Sequence, residues 1–255
     1  MHDTWLRDLT LDMRAPADNR TELQRLAFYA TPEHECSYLP NRTAVTLFAD
    51  PAVHLDTLTY SRLARFGFRR SGRHIYRPAC PACDACISVR VPVDAFHPRR
   101  SQRRTWQRNG DLSVRRLPAA FRDEHFDLYR NYVRSRHPGG GMDAPDPGQY
   151  MEFLTCDWSD TEFVEFRLQG RLLAVAVVDH LDTGLSAVYT FFDPEYRVRS
   201  LGTQAILWEI NEARRLNLPW VYLGYWIPEC RKMAYKTEFS PLEQFREGRW
   251  IPVQK

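Results

Sequence analysis

TEFVEFRLQGRLLAVAVVDHLDTGLSAVYTFFDPEYRVRSLGTQAILWEINEARRL, residues 161–216, carries the decisive pattern. Residues 161–168 alternate roughly between apolar and polar, the period of a half-buried strand. Gln169-Gly170 supplies a turn, and 171–181 reads as a second strand rich in Val and Leu. Asp182-Thr183-Gly184 turns the chain again into a third strand over 185–192. From Leu201 to Leu216 the period becomes helical: Leu201, Ala205, Ile206, Ile210 and Ala213 share one side, with Ser200 as N-cap. Upstream lie an amphipathic helix over 123–136, with Phe126, Tyr129 and Val133 apolar, a loop over 138–148 and a short helix over 149–156. Downstream follow a strand over 219–226 and a short helix over 229–236. The order predicts an α+β fold in which a mixed sheet is flanked by helices.

The wider composition suits such a fold. The chain has 255 residues, 44% of them apolar and 26% charged, close to globular averages, and it is long enough to bury a core without disulfides. Its longest apolar runs fall far below a membrane span. The first 14 residues are charged throughout and lack the apolar stretch of a secretory signal. These features predict a cytoplasmic protein with no membrane partner.

Charge is unevenly distributed. Residues 62–136 hold 18 Arg, no Lys and six acids, so this block carries +12 while the remainder carries −9, for a net +3. Such a block points to a polyanionic partner, nucleic acid first; the alternative is a solvated charged face. Its centre, HPRRSQRRTWQR (97–108), places Arg99, Arg100, Arg103, Arg104 and Arg108 in ten residues. Arg104 and Arg108 lie four apart on a helix beginning near Ser101, where like charges repel and an anion relieves them. Guanidinium forks match phosphate oxygens, and Trp106 and Gln107 add a stacking surface and a polar reader.

Six cysteines are present, and Cys80, Cys83 and Cys86 form a doubled C-x-x-C. In a reducing compartment this spacing reads as metal or redox chemistry, with Cys36 as the fourth candidate ligand. Zinc is the default metal, an iron–sulfur cluster takes the same donor set, and three reduced thiols are the alternative. Cys156 and Cys230 read as small packed residues.

The element order also matches the GCN5-related N-acyltransferases, whose R/Q-x-x-G-x-G/A loop holds a pyrophosphate at a helix N-terminus. Here that stretch is RSLGTQ (199–204): Arg199 and Gly202 match, while Gln204 stands where a small residue is expected. On these features alone, a coenzyme-A-dependent N-acetyltransferase and a noncatalytic RNA-binding module are both open.

A more specific resemblance rests on long segments in order: CSYLPNRTA (36–44), GFRRSGRHIYRPACPACDAC (67–86), VRVPVDAF (89–96), SQRR (101–104), RHPGGGM (136–142), YTFFDP (189–194), YLGYWI (222–227) and CRKMAYK (230–236). The chain resembles the aminoacyl-tRNA–protein transferases, most closely the bacterial aspartate/glutamate leucyltransferases. The resemblance implies transfer of leucine from leucyl-tRNA to proteins with N-terminal Asp or Glu, which then enter regulated proteolysis; an arginyl donor is the alternative. It also implies an N-terminal Cys-containing region over 1–105 and an acyltransferase-like domain over 106–255.

Aminolysis of an ester to an amide is downhill and requires no cofactor. Positioning and oxyanion donors are what the reaction needs. Tyr189, Tyr225 and Tyr235 are the candidate catalytic hydroxyls. For the acidic acceptor residue the candidates are Lys232 and Lys236, four apart on the last expected helix, with Arg77 and Arg231. Asp193 and Glu229 are candidates for the ammonium.

Overall fold

The computed structural model describes residues 26–136 and 145–254. The charged first 14 residues, and residues 138–144 of the glycine-rich loop, lie outside these.

The N-terminal part is built from short strands: β1 (Phe28–Ala30), β2 (His34–Glu35), β3 (Thr43–Ala44) and β4 (Thr46–Ala49), then helix α1 (Thr57–Arg65), β5 (Arg69–Ser71) and β6 (His74–Pro78). Asp56 caps α1 by accepting from Thr59 N at 2.7 Å. β1-β4-β6-β5 form an antiparallel sheet, and β2 pairs with β3. Strand β7 (Ile87–Pro92) then enters the main sheet, followed by α2 (Arg100–Arg108), β8 (Ser113–Pro118), α3 (Asp123–Arg136) and α4 (Pro147–Leu154). The meander is β9 (Thr161–Leu168), β10 (Arg171–Leu181) and β11 (Gly184–Phe192). A 3-10 helix over Pro194–Arg199 leads to α5 (Leu201–Arg215) and β12 (Trp220–Trp226). A second 3-10 helix over Ala234–Glu238 precedes the hairpin β13 (Glu243–Arg246) and β14 (Arg249–Pro252).

The main sheet runs β14-β13-β7-β12-β11-β10-β9-β8 and is mixed: β11 and β12 are parallel, the other neighbours antiparallel. Side-chain alternation along β9 and β10 feeds both faces. Val164, Phe166, Leu173 and Ala176 pack with Ala205, Ile206, Ile210 and Ala213 of α5. Phe163, Val175 and Val177 pack with Tyr129 and Val133 of α3. The N-terminal sheet and α1 close a third cluster that includes Leu181 and Tyr222 of the main sheet.

Several expectations change in detail. The short helix over 229–236 is replaced by turns over 228–233 and the 3-10 helix. Pro228 and so short a segment favour tight turns over a helix nucleus, so Lys232 and Lys236 do not share a helical face. The β13–β14 hairpin extends the sheet beyond what periodicity showed. Ser200 sits at the N-cap of α5 in the left-handed region and makes no side-chain cap bond. The division expected at 105/106 falls inside α2, and β7 from the first part pairs with β12 of the second.

Candidate active site and nucleic-acid face

The parallel pairing of β11 and β12 is brief: Gly184–Trp220, Leu185–Val221 and Ser186–Tyr222. Beyond Ser186 and Tyr222 the two strands part. Their carboxyl ends lead into the two 3-10 helices, a parting of adjacent parallel strands of the kind at which open sheets bind ligands.

Arg69 of β5 closes the base of this split. Its guanidinium donates to Ser186 Oγ at 3.0 Å, Tyr222 O at 3.1 Å and Ala187 O at 2.5 Å, tying both strands. Tyr60 OH lies 3.1 Å from the same Ser186 hydroxyl. Gly224 makes room: its φ is +79°, and a Cβ there would stand 3.1 Å from Arg69 Nε. Only glycine meets both demands. Neither Arg69 nor Gly224 stood out in the sequence, because the partners of Arg69 lie more than 100 residues away.

Lys236 is buried and donates to Tyr225 O at 2.5 Å. Burial first, and Arg69 second, bring its pKa down to about 7. Tyr225 is also buried, and its hydroxyl donates to Tyr76 O at 3.0 Å and Gly67 O at 3.2 Å. Tyr235 is 42% exposed. Its surroundings are nonetheless desolvating and, together with the charge of Glu209, push its pKa up to about 12. Tyr189 packs among Tyr129, Tyr132, Phe153 and Phe191, and burial raises it far above the usual range. Tyr132 is in electrostatic reach of both Tyr189 and Tyr235. The structure thus brings Tyr189, Tyr235 and Lys236 to one region and turns the Tyr225 hydroxyl away toward the N-terminal sheet.

The other acceptor candidates divide. Arg77 donates to Phe66 O at 3.1 Å and lies 4.8 Å over the Phe68 ring. Arg231, Lys232 and Glu229 are exposed on the turns after β12. Asp193 caps the first 3-10 helix through Glu195 N at 3.0 Å and pairs with Arg171 at 2.8 Å.

Helix α2 lies across the same end of the sheet. Arg99 donates to Thr237 O at 3.2 Å and Gln102 to Glu238 O at 3.1 Å. At its other end Asn109 donates to Arg199 O at 2.8 Å, and Arg108 to Val198 O. The helix therefore bridges the exit of β12 to the exit of β11. Gln102, Thr105 and Asn109 face inward, while Arg100, Arg103, Arg104, Trp106 and Arg108 are exposed. Among the described residues no acid pairs with Arg99, Arg100, Arg103, Arg104 or Arg108. An unneutralised row of guanidinium groups beside a cleft is a polyanion surface. A cleft of about 290 Å³ lies between α2 and α5, lined by Trp106, Gln107, Arg103 and Arg214 among others.

The RSLGTQ stretch is not arranged as an open phosphate cradle. Arg199 pairs with Asp111 at 2.8 and 2.9 Å, and Gln204 is buried beside Asn109.

The cysteines gather on one wall. Cys36, Cys80 and Cys86 border a cavity of about 340 Å³ together with His34, His74 and Tyr225. Burial, then Cys80, Cys36, Cys83 and Cys230, push Cys86 up to about 12. Cys80 Sγ is turned onto the Val45 main chain, with N–H and O at 3.5 and 3.7 Å. Among the described residues no three His, Cys, Asp or Glu side chains converge as a metal-ligand set. The expected convergence of Cys36, Cys80, Cys83 and Cys86 on one zinc or iron–sulfur centre is not seen among the described residues. Cys156 and Cys230 are half-buried, not core residues.

Two family models match this chain: arginine-tRNA-protein transferase, N terminus, over residues 34–104, and its C terminus over 124–246. Aspartate/glutamate leucyltransferase of Nitrosococcus oceani is 55% identical over 88% of this chain and 94% of its own length. Those of Pseudomonas paraeruginosa and Marinobacter nauticus are 54% and 51% identical, over 91% and 90% of this chain and 99% and 97% of theirs. Among solved structures, FemX aligns at 10% identity with a TM-score of 0.46, covering 84% of each chain. L-PGS from Bacillus licheniformis aligns at 10% identity with a TM-score of 0.43, covering 65% of this chain and 49% of its own.

Proposed function

The chain belongs to the arginine-tRNA-protein transferase family, and we propose that it is an aspartate/glutamate leucyltransferase. It moves leucine from leucyl-tRNA onto the N-terminal α-amine of proteins beginning with Asp or Glu and so marks them for regulated proteolysis. The observation that carries this reading is identity of 54–55% with relatives of that name along about nine-tenths of the chain.

The geometry suits the chemistry. We read the main sheet as an N-acyltransferase-like frame whose split between β11 and β12 receives the reacting groups. Arg99, Arg100, Arg103, Arg104 and Arg108 hold the tRNA backbone, which brings the aminoacyl end over that split. The two functional parts meet near residue 105, between the two matched segments. The acceptor nitrogen attacks the leucyl carbonyl carbon, and the ribose oxygen leaves. An α-amine titrates near 7.7–8.0, so a useful fraction is neutral at pH 7. The protein supplies orientation of two large substrates and hydrogen-bond donors for the tetrahedral oxyanion, with Tyr235 and Tyr189 as the candidate hydroxyls. Arg231 and Lys232, exposed on the turns after β12, read the acidic side chain. Lys236, buried against Tyr225 O, shapes the mouth. The engaged Arg199 and buried Gln204 speak against a coenzyme A donor. We place the reaction in the cytoplasm. No described helix is long and apolar enough to cross a membrane.

The test is turnover of labelled leucyl-tRNA with peptides beginning with Asp, Glu or Asn, in the absence of coenzyme A, with arginyl-tRNA and acetyl-coenzyme A run in parallel. Leucine should appear on the Asp and Glu peptides alone. Transfer from arginyl-tRNA at an equal or higher rate, or acetylation, would replace the proposed donor.

A further inference from the structure

Between α2 and α5 the cleft of about 290 Å³ has an apolar floor and a polar rim. Phe96, Leu207 and Ile210 form the floor and are buried. One wall is Trp106, which is 41% exposed and stacks on no ring among the described residues. Arg103, Trp106 and Gln107 stand at i, i+3 and i+4 on α2 and so share a face. Arg214 donates to Val93 O at 2.8 Å and Phe96 O at 3.3 Å, which pins the segment leading into α2 against α5, and Arg103 donates to Pro98 O at 2.7 Å. The walls are therefore held before any ligand arrives. Asn211 accepts from Arg214 at 3.4 Å through Oδ1, which leaves its amide nitrogen as a donor, and the Gln107 side chain has no partner among the described residues. Among the described residues no acid lines the cleft. At about 290 Å³ it stands at the low end of small-molecule sites, roughly 300–1,000 Å³, a size for one planar ring system and not for a whole dinucleotide cofactor.

We propose that this cleft takes one unstacked nucleobase from the single-stranded 3′ end of the tRNA, laid on the Trp106 indole with its edge toward Gln107 and Asn211. This deepens, and rests on, the leucyl-tRNA reading. Three features select a nucleobase. Every base has a π-face that an open indole can stack. Side-chain amides both donate to and accept from base edges. The flanking phosphates need cations, and these are at hand: Arg99 and Arg103 lie on the Trp106 side of α2, Arg100, Arg104 and Arg108 follow round the helix, and none has an acid partner among the described residues. Position selects the nucleotide. Leu207 to Asn211 stand six to ten residues along α5 from Leu201, about 9–15 Å at 1.5 Å per residue. With the ester over the β11–β12 split and about 3.4 Å between stacked nucleotides, the held base lies about three to four nucleotides inward of the reacting ribose. The cleft therefore touches no reacting atom. A base anchored in it sets how far the ester reaches toward the split.

The experiment uses the full chain and a tRNA that leucyl-tRNA synthetase charges, with an abasic nucleotide placed in turn at each unpaired 3′ position. Wild-type leucine transfer is measured first. A wild type that binds tRNA but transfers no leucine sinks the functional reading and leaves the cleft to be judged by binding; a wild type that binds no tRNA sinks both. Trp106→Ala should weaken binding of the intact tRNA roughly 5–150-fold and keep the salt slope, because no phosphate contact is lost. Trp106→Phe, which retains a stacking face, should recover most of the affinity. At one abasic position, and there alone, wild type should fall to the Trp106→Ala level, so that the two proteins bind alike. 2-Aminopurine at that position should lose fluorescence when the tRNA binds wild type, a readout that needs no variant to fold. Equal abasic losses at every position, no quenching at any of them, or unchanged affinity in Trp106→Ala would overturn the proposal. A salt slope that falls together with the affinity would make Trp106 a prop for the arginine row and overturn it as well.

Discussion

Glu209 of α5 is 0% exposed, and Glu209→Gln should change how stability depends on pH. In the folded protein the Glu209 carboxyl titrates near 8, raised by burial from an ordinary value of 4.5. Between those two values the native state holds a proton that the unfolded state has released. Wild-type stability therefore falls as pH rises across this window, and the loss is complete above pH 8. At about 1.36 kcal/mol per pKa unit the full effect is roughly 5 kcal/mol, an upper bound that local relaxation reduces to about 2–4 kcal/mol. Glutamine cannot ionise, but it buries two N–H donors without partners, a cost of about 1–3 kcal/mol. The stability difference between variant and wild type should thus move in the variant's favour by about 2–4 kcal/mol from pH 5 to pH 8.5. Urea unfolding at intervals of half a pH unit, extrapolated linearly to water, measures the difference. A constant difference between pH 5 and 8.5 would show that Glu209 titrates as an ordinary carboxylate, and the burial reasoning would be wrong.

Arg70 and Asp179 form an ion pair with both side chains 0% exposed and two contacts of 2.6 Å, joining β5 to β10. Arg70→Met should cost about 3–5 kcal/mol, and Arg70→Met with Asp179→Leu should recover much of it; calorimetry showing no recovery would contradict the desolvation account. Replacing Arg103 and Arg104 with Ala should lower the salt slope of tRNA binding by about one to two units with little change in melting temperature; an identical slope would leave α2 as a solvated helix. Lys236 is held near 7 when folded, so the folded state binds fewer protons between pH 7 and about 10.4 and wild-type stability gains across that window. The stability difference between wild type and Lys236→Met should grow in favour of wild type from pH 7 to 10 in denaturant titrations, and a flat difference would place the ammonium in solvent.

The sequence alone was enough for whatever depends on neighbours in the chain. The periods of two and 3.6 over residues 161–216 correspond to β9, β10, β11 and α5 nearly residue for residue, because alternation and amphipathicity are local consequences of backbone geometry. The arginine run of α2 is exposed as its composition suggested, since five like charges have no stable place inside. Residues 229–236 read as a helix in sequence because turns and a nascent helix share the same short spacing, and they fold as turns and a 3-10 helix. Cys36, Cys80, Cys83 and Cys86 illustrate the limit of spacing: a doubled C-x-x-C suggests a ligand set, but convergence on one ion is a tertiary property that spacing does not determine. Tertiary structure alone decided the rest. Arg69 bonds residues 117 and 153 positions away, Gly224 is required by that guanidinium, and Glu209 reads in sequence as one more polar position on a helix. Its lack of a partner exists only once α5 is laid on the sheet, because burial and unmet hydrogen bonds are properties of the packed neighbours and not of the residue.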